Sequence, residues 1–517
     1  MARDRKSSTE VKSGSFPLNR WVWIGLILLA FLLGLAVRLY DLTDLPLDFH
    51  PTRQLHSALI ARGMFYQDLS DSPEWQHERA VSQWKAEGLI EPQIMQHLTA
   101  FTYRLIGAPE LWAARLWAIF FWSLGGIFLV FLARDIAGLP GAALAVVFYM
   151  LWPYTAIASR AFQPESLSVA SLILALWLSY RWIQNPTMSK ALAAGLACGI
   201  AIYIKSTIVF LLAPAVAGLV LSTLSLRSAF KNLQVWLVAG LAILPYAIYH
   251  IYGVYVLGLL GEQYALRFFP NLWIDLTWYL RWINEMNHVI PLEIFLFAIG
   301  GALVLSKKPA FGLFLGFFIG YILYGFVFSY HISTHDYYHL PLMVPVSLGL
   351  GLVFSELVDA MQEKRKIFST VVIVLFIVGF MALKAWDVRV TLKRSDYRSE
   401  PAFWANLGEE LGRDARVTGL MTDYGYRLAY WGWLTVEPWL GTADINVREL
   451  AGAEIDLQGE LESRLGENDY FVITQFGEYN NQPFLREYLE ENYPLVIDRE
   501  DVIAFDLRQN RGLVDNE

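Results

Sequence analysis

Eleven apolar runs, each long enough or nearly so to cross roughly 30 Å of hydrocarbon, constrain this chain more than any single residue does. They fall near 21–37, 111–133, 140–158, 166–184, 190–204, 207–225, 234–253, 290–305, 310–328, 340–359 and 367–386. A chain of 517 residues that is 56% hydrophobic and only 17% charged is too apolar for an ordinary soluble protein of this size. The expectation is a polytopic α-helical membrane protein with about 11 transmembrane helices. The net charge of −8 argues against a nucleic-acid partner, with little weight because charge divides across a membrane. The single cysteine, Cys198, lies in an apolar run and has no partner for an intramolecular disulfide.

Charge in the short loops sets the orientation. Arg3, Arg5, Lys6, Lys12 and Arg20 precede the first run, and Arg38-Leu39-Tyr40-Asp41 after it offers no small-x-small cleavage pattern, so the run reads as a retained anchor. With the N-terminus inside, the inner loops hold ten cations: Arg134, Arg181, Lys190, Arg227, Lys231, Lys307, Lys308, Lys364, Arg365 and Lys366. The short outer loops hold two, Arg160 and Lys205. Lysine and arginine collect on the cytoplasmic side, and an odd number of spans then places everything after about Lys384 outside. The predicted organisation is a cytoplasmic N-terminus over 1–20, a transmembrane domain over 21–390 with outer loops 41–107 and 254–289, and a soluble extracytoplasmic α/β domain over 391–517. The protein is expected in the cell membrane.

The loop 41–107 carries helical stretches near 53–66 and 89–105 that are too polar to cross a bilayer but amphipathic enough to lie on its surface. The loop 254–289 is rich in aromatic residues, which favour the interface. The C-terminal region alternates β-type runs (415–421, 470–474, 502–507) with helical ones (402–411, 484–492). Trp431, Trp433 and Trp439 there, beside the polar cluster Asp423-Tyr424-Gly425-Tyr426-Arg427, read either as a glycan-stacking surface or as a small domain's core and capping loop.

This topology gathers acids, imidazoles and cations on one face. The elbow Leu47-Asp48-Phe49-His50-Pro51-Thr52-Arg53-Gln54, the strip Ser159-Arg160-Ala161-Phe162-Gln163-Pro164-Glu165, Lys205, Arg267 and the strip from His331 to His339 all lie outside. Transfer from a lipid-linked phosphate requires cations at headgroup depth to hold the phosphate and a carboxylate beyond them to take a proton from the nucleophile. Alternative readings stay open. Arg160 and Lys205 also read as interfacial cations snorkelling from helix ends, and Asp48 as a turn residue. His331, His335 and His339 recur at helical spacing and read as metal ligands, as groups titrating near neutrality, or as solvated side chains.

The order of an anchor ending in Arg38-Leu39-Tyr40, a polar elbow, and Gly107-Ala108-Pro109-Glu110-Leu111-Trp112-Ala113-Ala114-Arg115-Leu116 leading into a span resembles the GT-C class of integral-membrane glycosyltransferases. The nearer relatives by this resemblance are the protein O-mannosyltransferases and the lipid A aminoarabinose transferases. Arg160 to Glu165, the break Ile204-Lys205-Ser206, and Asp336-Tyr337-Tyr338-His339-Leu340-Pro341 extend the similarity over roughly 20–390. The resemblance implies transfer of a sugar from a polyprenyl-phosphate carrier to a lipid, glycan or protein acceptor on the outer face, with inversion. It implies Asp48, His50, Glu165 and Asp336 as catalytic candidates, Arg53, Arg160, Lys205 and Arg267 as phosphate ligands, and Tyr337, Tyr338 and His335 as substrate contacts. Aligned on Pro51, the family's usual Pro-Asp-Glu acids fall on Thr52 and Arg53, so Asp48 stands as the nearest substitute and His50 as the second. Asp48, Glu165 and Asp336 together would suit a divalent ion such as Mg²⁺ or Mn²⁺; no other cofactor is implied. Two further readings are an inactive relative that binds polyprenyl phosphate and a lipid-linked sugar transporter, although the chain shows no matching pair of broken apolar segments in its two halves.

Overall fold

The computed structural model describes residues 20–89, 91–260, 266–362 and 366–510. The N-terminal cations Arg3, Arg5, Lys6 and Lys12, the loop cations Lys364 and Arg365, and Gln263 to Ala265 lie outside them.

Among the described residues, eight helices are long and apolar enough to cross a membrane, and nine if Leu276–Val289 and Leu292–Leu305, bent by 86°, form one span. The 40-residue helix Trp112–Leu151 covers two predicted runs and is broken at Gly138, whose φ of 71° leaves the helical region. Met188–Ile204 is apolar but shorter than the others.

The packing follows from small residues. Gly34 meets Met150, and Gly126 meets Phe31, where the first helix crosses Trp112–Leu151. A methyl group on Gly218 would overlap the carbonyl of Gly312, and one on Gly316 would overlap that of Pro214. Backbones can approach this closely only without side chains between them, the way helices associate where apolar burial gives no preference over lipid. The large apolar residues that do not pack inward, such as Leu32, Phe120, Ile200, Ile248, Ile319 and Phe376, are exposed along the helices, as a lipid-facing surface requires.

The first loop forms three helices, Pro51–Gln67, Glu74–Ala86 and Ile94–Ile106. The middle one was not legible in the sequence. The C-terminal region is a five-stranded sheet, β1 (Arg416–Leu420), β2 (Thr435–Pro438), β3 (Tyr470–Ile473), β4 (Leu495–Asp498) and β5 (Ile503–Asp506), in the order β2-β1-β3-β5-β4. β1 pairs in parallel with β2 and β3, and β5 runs antiparallel to β3 and β4. Two of its strands, β2 and β4, are partly exposed edges without a clear alternation, and sequence pattern alone did not single them out.

Arg62 ties the sheet domain to the first loop. Its guanidinium is 2% exposed, lies 4.3 Å from the Tyr430 ring and 4.0 Å from that of Trp433, and bonds the carbonyls of Tyr430 and Ala429 and Oε1 of Gln83. Gln83 in turn donates to the carbonyls of Ala429 and Leu434. The glycan-stacking reading of the tryptophans gives way to the structural one. Trp439 is buried with Nε1 on Gln482, Trp433 packs against Tyr66 and Trp75, and Trp431 is half-buried against the domain's core.

Candidate active site

The phosphate-binding candidates are placed by breaks in helices. At Lys205 the backbone is extended, with φ −148° and ψ 104°, between Met188–Ile204 and the turn Ser206–Ile208. The side chain therefore leaves the helix stack, and its Nζ reaches Oε1 of Glu165 at 2.7 Å and Oε1 of Glu91 at 3.8 Å. Glu165 opens its own helix, Glu165–Gln184, where a carboxylate suits the positive helix end. Lys205 is also 5.7 Å from the ring centres of both Tyr337 and Tyr338.

Arg53 sits in the first turn of Pro51–Gln67. It donates to the Tyr337 hydroxyl and to Oε2 of Glu91, both at 3.2 Å. Burial alone would lower its pKa, but Tyr337, Glu165 and Glu91 overcome that and hold the guanidinium firmly charged. Arg53, Glu91, Arg267, His331, Tyr337 and Tyr338 line one cavity of about 260 Å³. Arg267 also borders a second, apolar recess of about 400 Å³ walled by Phe210, Ile243, Phe268 and Phe328.

His50 caps the helix that carries Arg53, in the left-handed conformation with φ 43°. A non-glycine residue held there stores roughly 1–3 kcal/mol, and such strain clusters at functional sites. The turn aims the imidazole away from the helix, so that Nε2 lies 2.7 Å from Oδ1 of Asp336 and the ring packs edge-on to Tyr337 at 4.8 Å. Asp336 begins the turn that also carries Tyr337 and Tyr338, so one short segment supplies the imidazole's partner and the aromatic wall of the cation site.

Asp48 and Arg160 lie elsewhere. Asp48 pairs at 3.2 Å with Arg115, which is 1% exposed, and both Asp48 and Arg160 face a separate recess of about 50 Å³ shared with Asp41 and Asp44. Burial and the neighbouring Arg115 bring Arg160 down to about 10, and its Nη2 bonds the Asp41 carbonyl. The three histidines of the later strip separate as well. His339 is fully buried between the Tyr321 hydroxyl and the Ile332 carbonyl. His331 and His335 stack at 5.1 Å, and burial pushes them down to about 3 and about 4, so both are neutral.

No group of three or more histidine, cysteine or acidic side chains that could hold a metal ion occurs among the described residues. The trio Asp48, Glu165 and Asp336 does not fit a divalent ion, because each carboxylate is engaged by its own partner, Arg115, Lys205 and His50 respectively. Sequence reasoning missed Glu91, which faces both Arg53 and Lys205, and the pair His56 and Glu87 beside it, which Tyr426 of the noted C-terminal polar cluster joins. A Glu-Pro pair in a polar loop carries no distinguishing pattern; only the convergence of four segments marks it.

Over 94% of its length the chain superposes on ArnT from Cupriavidus metallidurans, in the apo state with TM-score 0.58 and 14% identity, covering 98% of that chain. The fold is that of this ArnT. The same ArnT bound to undecaprenyl phosphate matches with TM-score 0.56 and 15% identity, covering 94% of this chain and 97% of that one. The Archaeoglobus fulgidus oligosaccharyltransferase tethered to an acceptor peptide matches with TM-score 0.52 and 12% identity, covering 95% of this chain and 74% of the other. In sequence, the family of dolichyl-phosphate-mannose-protein mannosyltransferases matches residues 91–252. No curated protein sequence matches the chain. The GT-C resemblance read from the sequence therefore holds, with an ArnT-like membrane domain and a small C-terminal sheet domain.

Proposed function

We propose that this chain transfers a sugar from a polyprenyl-phosphate donor to an acceptor hydroxyl at the extracytoplasmic face of the cell membrane, with inversion at the anomeric carbon. One observation carries the reading: Arg53 and Arg267 line a single cavity that Lys205 approaches through Glu91, and Arg267 stands where this cavity meets an apolar recess. A phosphate on a long hydrocarbon chain has this combination of needs, an anionic head for the cations and an apolar tail for the recess.

Glu91 and Glu165 neutralise Arg53 and Lys205 in the absence of donor. The donor phosphate takes over the charge-assisted contacts with Arg53, Lys205 and Arg267, which stabilise the departing phosphate as the bond to the anomeric carbon lengthens. His50, oriented by Asp336 through Nε2, accepts the acceptor's proton on its other ring nitrogen. The acceptor oxygen forms the new bond to the anomeric carbon, and the electron pair of the broken bond leaves on the phosphate. The geometry favours this pair over Asp48, whose contact with Arg115 instead braces the elbow from which His50 projects. Tyr337 and Tyr338 wall the sugar site, and His335 packs behind them.

The test is turnover. Purified protein incubated with labelled polyprenyl-phosphate sugars is expected to release free polyprenyl phosphate. Binding of the donor with no release from any sugar in the set would instead support an inactive relative, and movement of intact donor across proteoliposomes would support a transporter.

A further inference from the structure

A larger cavity, about 620 Å³, lies between the first-loop helices Pro51–Gln67 and Glu74–Ala86 and the sheet domain. Thr52 and Tyr426 border both this cavity and the cation-lined one, so the two share a wall. Thr52 is two residues from His50. The partition is a built polar cluster: Tyr426 donates to Oε2 of Glu87 at 3.0 Å, and Nε2 of His56 lies 3.3 Å from the same oxygen. The Glu87 and His56 side chains are only 15% and 17% exposed.

We propose that this cavity is the acceptor subsite and that it takes a neutral, hydroxyl-bearing carbohydrate. The proposal rests on the transferase reading above and adds the chemical class of its acceptor. Three observations support it. The volume is in the range of small-molecule sites and far exceeds what one side chain needs. Among the described residues no lysine, arginine or histidine lines it, in contrast to its neighbour, which Arg53 and Arg267 line; the walls mix aliphatic and aromatic surface with the uncharged polar groups of Ser82, Gln83, Tyr424 and Thr435. The nearest cations, Arg62 and Arg79, stand behind the wall and are already engaged by Gln83, Ala429 and Thr435, so a phosphorylated acceptor would meet no cationic side chain in the lining, whereas the faces and hydroxyls of a sugar meet apolar and hydrogen-bonding surface together. The rim is also strained. Asp423, Tyr424 and Gly425 are consecutively left-handed, with φ 53°, 56° and 79°, and the Arg427 pairs with Asp423 at 2.6 Å and Glu400 at 2.8 Å hold the turn that presents Tyr424 and Tyr426 to the cavity.

Glu87 is suited to grip a hydroxyl at the partition. Burial raises its pKa to about 7, against the Tyr426 hydrogen bond that lowers it, so near neutrality the carboxyl exists in both donor and acceptor forms. Burial, with Arg53 nearby, lowers His56 to about 4, which keeps the imidazole neutral and adds no charge to the wall. An acceptor hydroxyl held by Glu87 and Thr52 points through the partition toward the sugar on the donor phosphate.

The experiment uses full-length protein in detergent, with maltotriose, a phosphorylated maltotriose and a serine/threonine peptide as probes, and polyprenyl phosphate as an independent probe of the donor site. Ala86 is an exposed cavity-lining residue, so Ala86→Trp obstructs part of the cavity without disturbing a core. The expected result is that maltotriose binds better than the other two probes and that Ala86→Trp and Glu87→Gln weaken it at least tenfold, with polyprenyl phosphate affinity unchanged. Preference for the phosphorylated sugar or the peptide, or maltotriose affinity insensitive to Ala86→Trp, would overturn the proposal. Absence of polyprenyl phosphate binding in the wild type, with the maltotriose pattern intact, would overturn the donor reading and leave a carbohydrate-binding cavity.

Discussion

Replacing Lys205 by methionine separates its structural role from its chemical one. Its Nζ is 2.7 Å from Oε1 of Glu165, and the two side chains are 10% and 5% exposed. Removing one partner of such a pair strands the other as a buried charge, which costs about 3–5 kcal/mol. Here the cost should fall near the lower end, about 3 kcal/mol, because the charge of Arg53 also acts on Glu165. The double variant Lys205→Met/Glu165→Gln removes the stranded charge and should recover most of that loss. Donor binding behaves differently. A charge-assisted contact contributes about 1.5–3 kcal/mol, so both the single and the double variant should bind polyprenyl phosphate roughly 10- to 100-fold more weakly, at about 1.4 kcal/mol per tenfold. The assay pairs thermal unfolding of the full-length protein in detergent with equilibrium binding of polyprenyl phosphate. A double variant that is stable and binds the donor like the wild type would refute the reasoning and reduce Lys205 to the counter-ion of Glu165.

His50→Gln and Asp336→Asn are each expected to lower the transfer rate by about 10²–10⁴ with donor affinity nearly unchanged; a larger loss from Asp48→Asn than from either would return the role of base to Asp48. Removing Arg267 (Arg267→Ala) should weaken polyprenyl phosphate binding more than binding of a short-chain phosphate, since it stands at the mouth of the apolar recess; equal effects on both would place the tail elsewhere. Glu87 gives a pH signature in unfolding experiments. Its pKa is higher folded than unfolded, so its buried carboxylate costs nothing below about pH 4.5 and progressively more as pH rises through about 7. Glu87→Gln should therefore leave stability unchanged at pH 4 and raise it at pH 8 by up to about 3 kcal/mol; a gain independent of pH would contradict the assignment. A reporter fused after Glu517 should be accessible from outside the cytoplasm, as the loop charges and an odd number of spans predict, and protection of it there would invert the proposed faces.

The sequence by itself determined the class and much of the layout. Apolar runs of spanning length leave a chain little choice but helices in a bilayer, and the break at Ile204-Lys205-Ser206 was visible because a lysine between two apolar helices must leave the hydrocarbon. His50, Arg53, Asp336 and Tyr337 could be nominated from their place in loops predicted to lie outside and from the family resemblance. Which of them meet was decided only by the tertiary structure. Asp48 and His50 are two residues apart, yet the left-handed turn at His50 sends one toward Arg115 and the other toward Asp336, 286 residues away. Glu91 and Glu87 stayed invisible because an acid in a polar loop looks like any other until cations or a tyrosine from distant segments close around it. The C-terminal tryptophans were ambiguous for the same reason, since local pattern records that a ring is apolar but not whether protein or ligand covers it. Periodicity and composition report what one segment does with its own solvent; a site is an agreement among segments, and only packing brings them within a few ångströms.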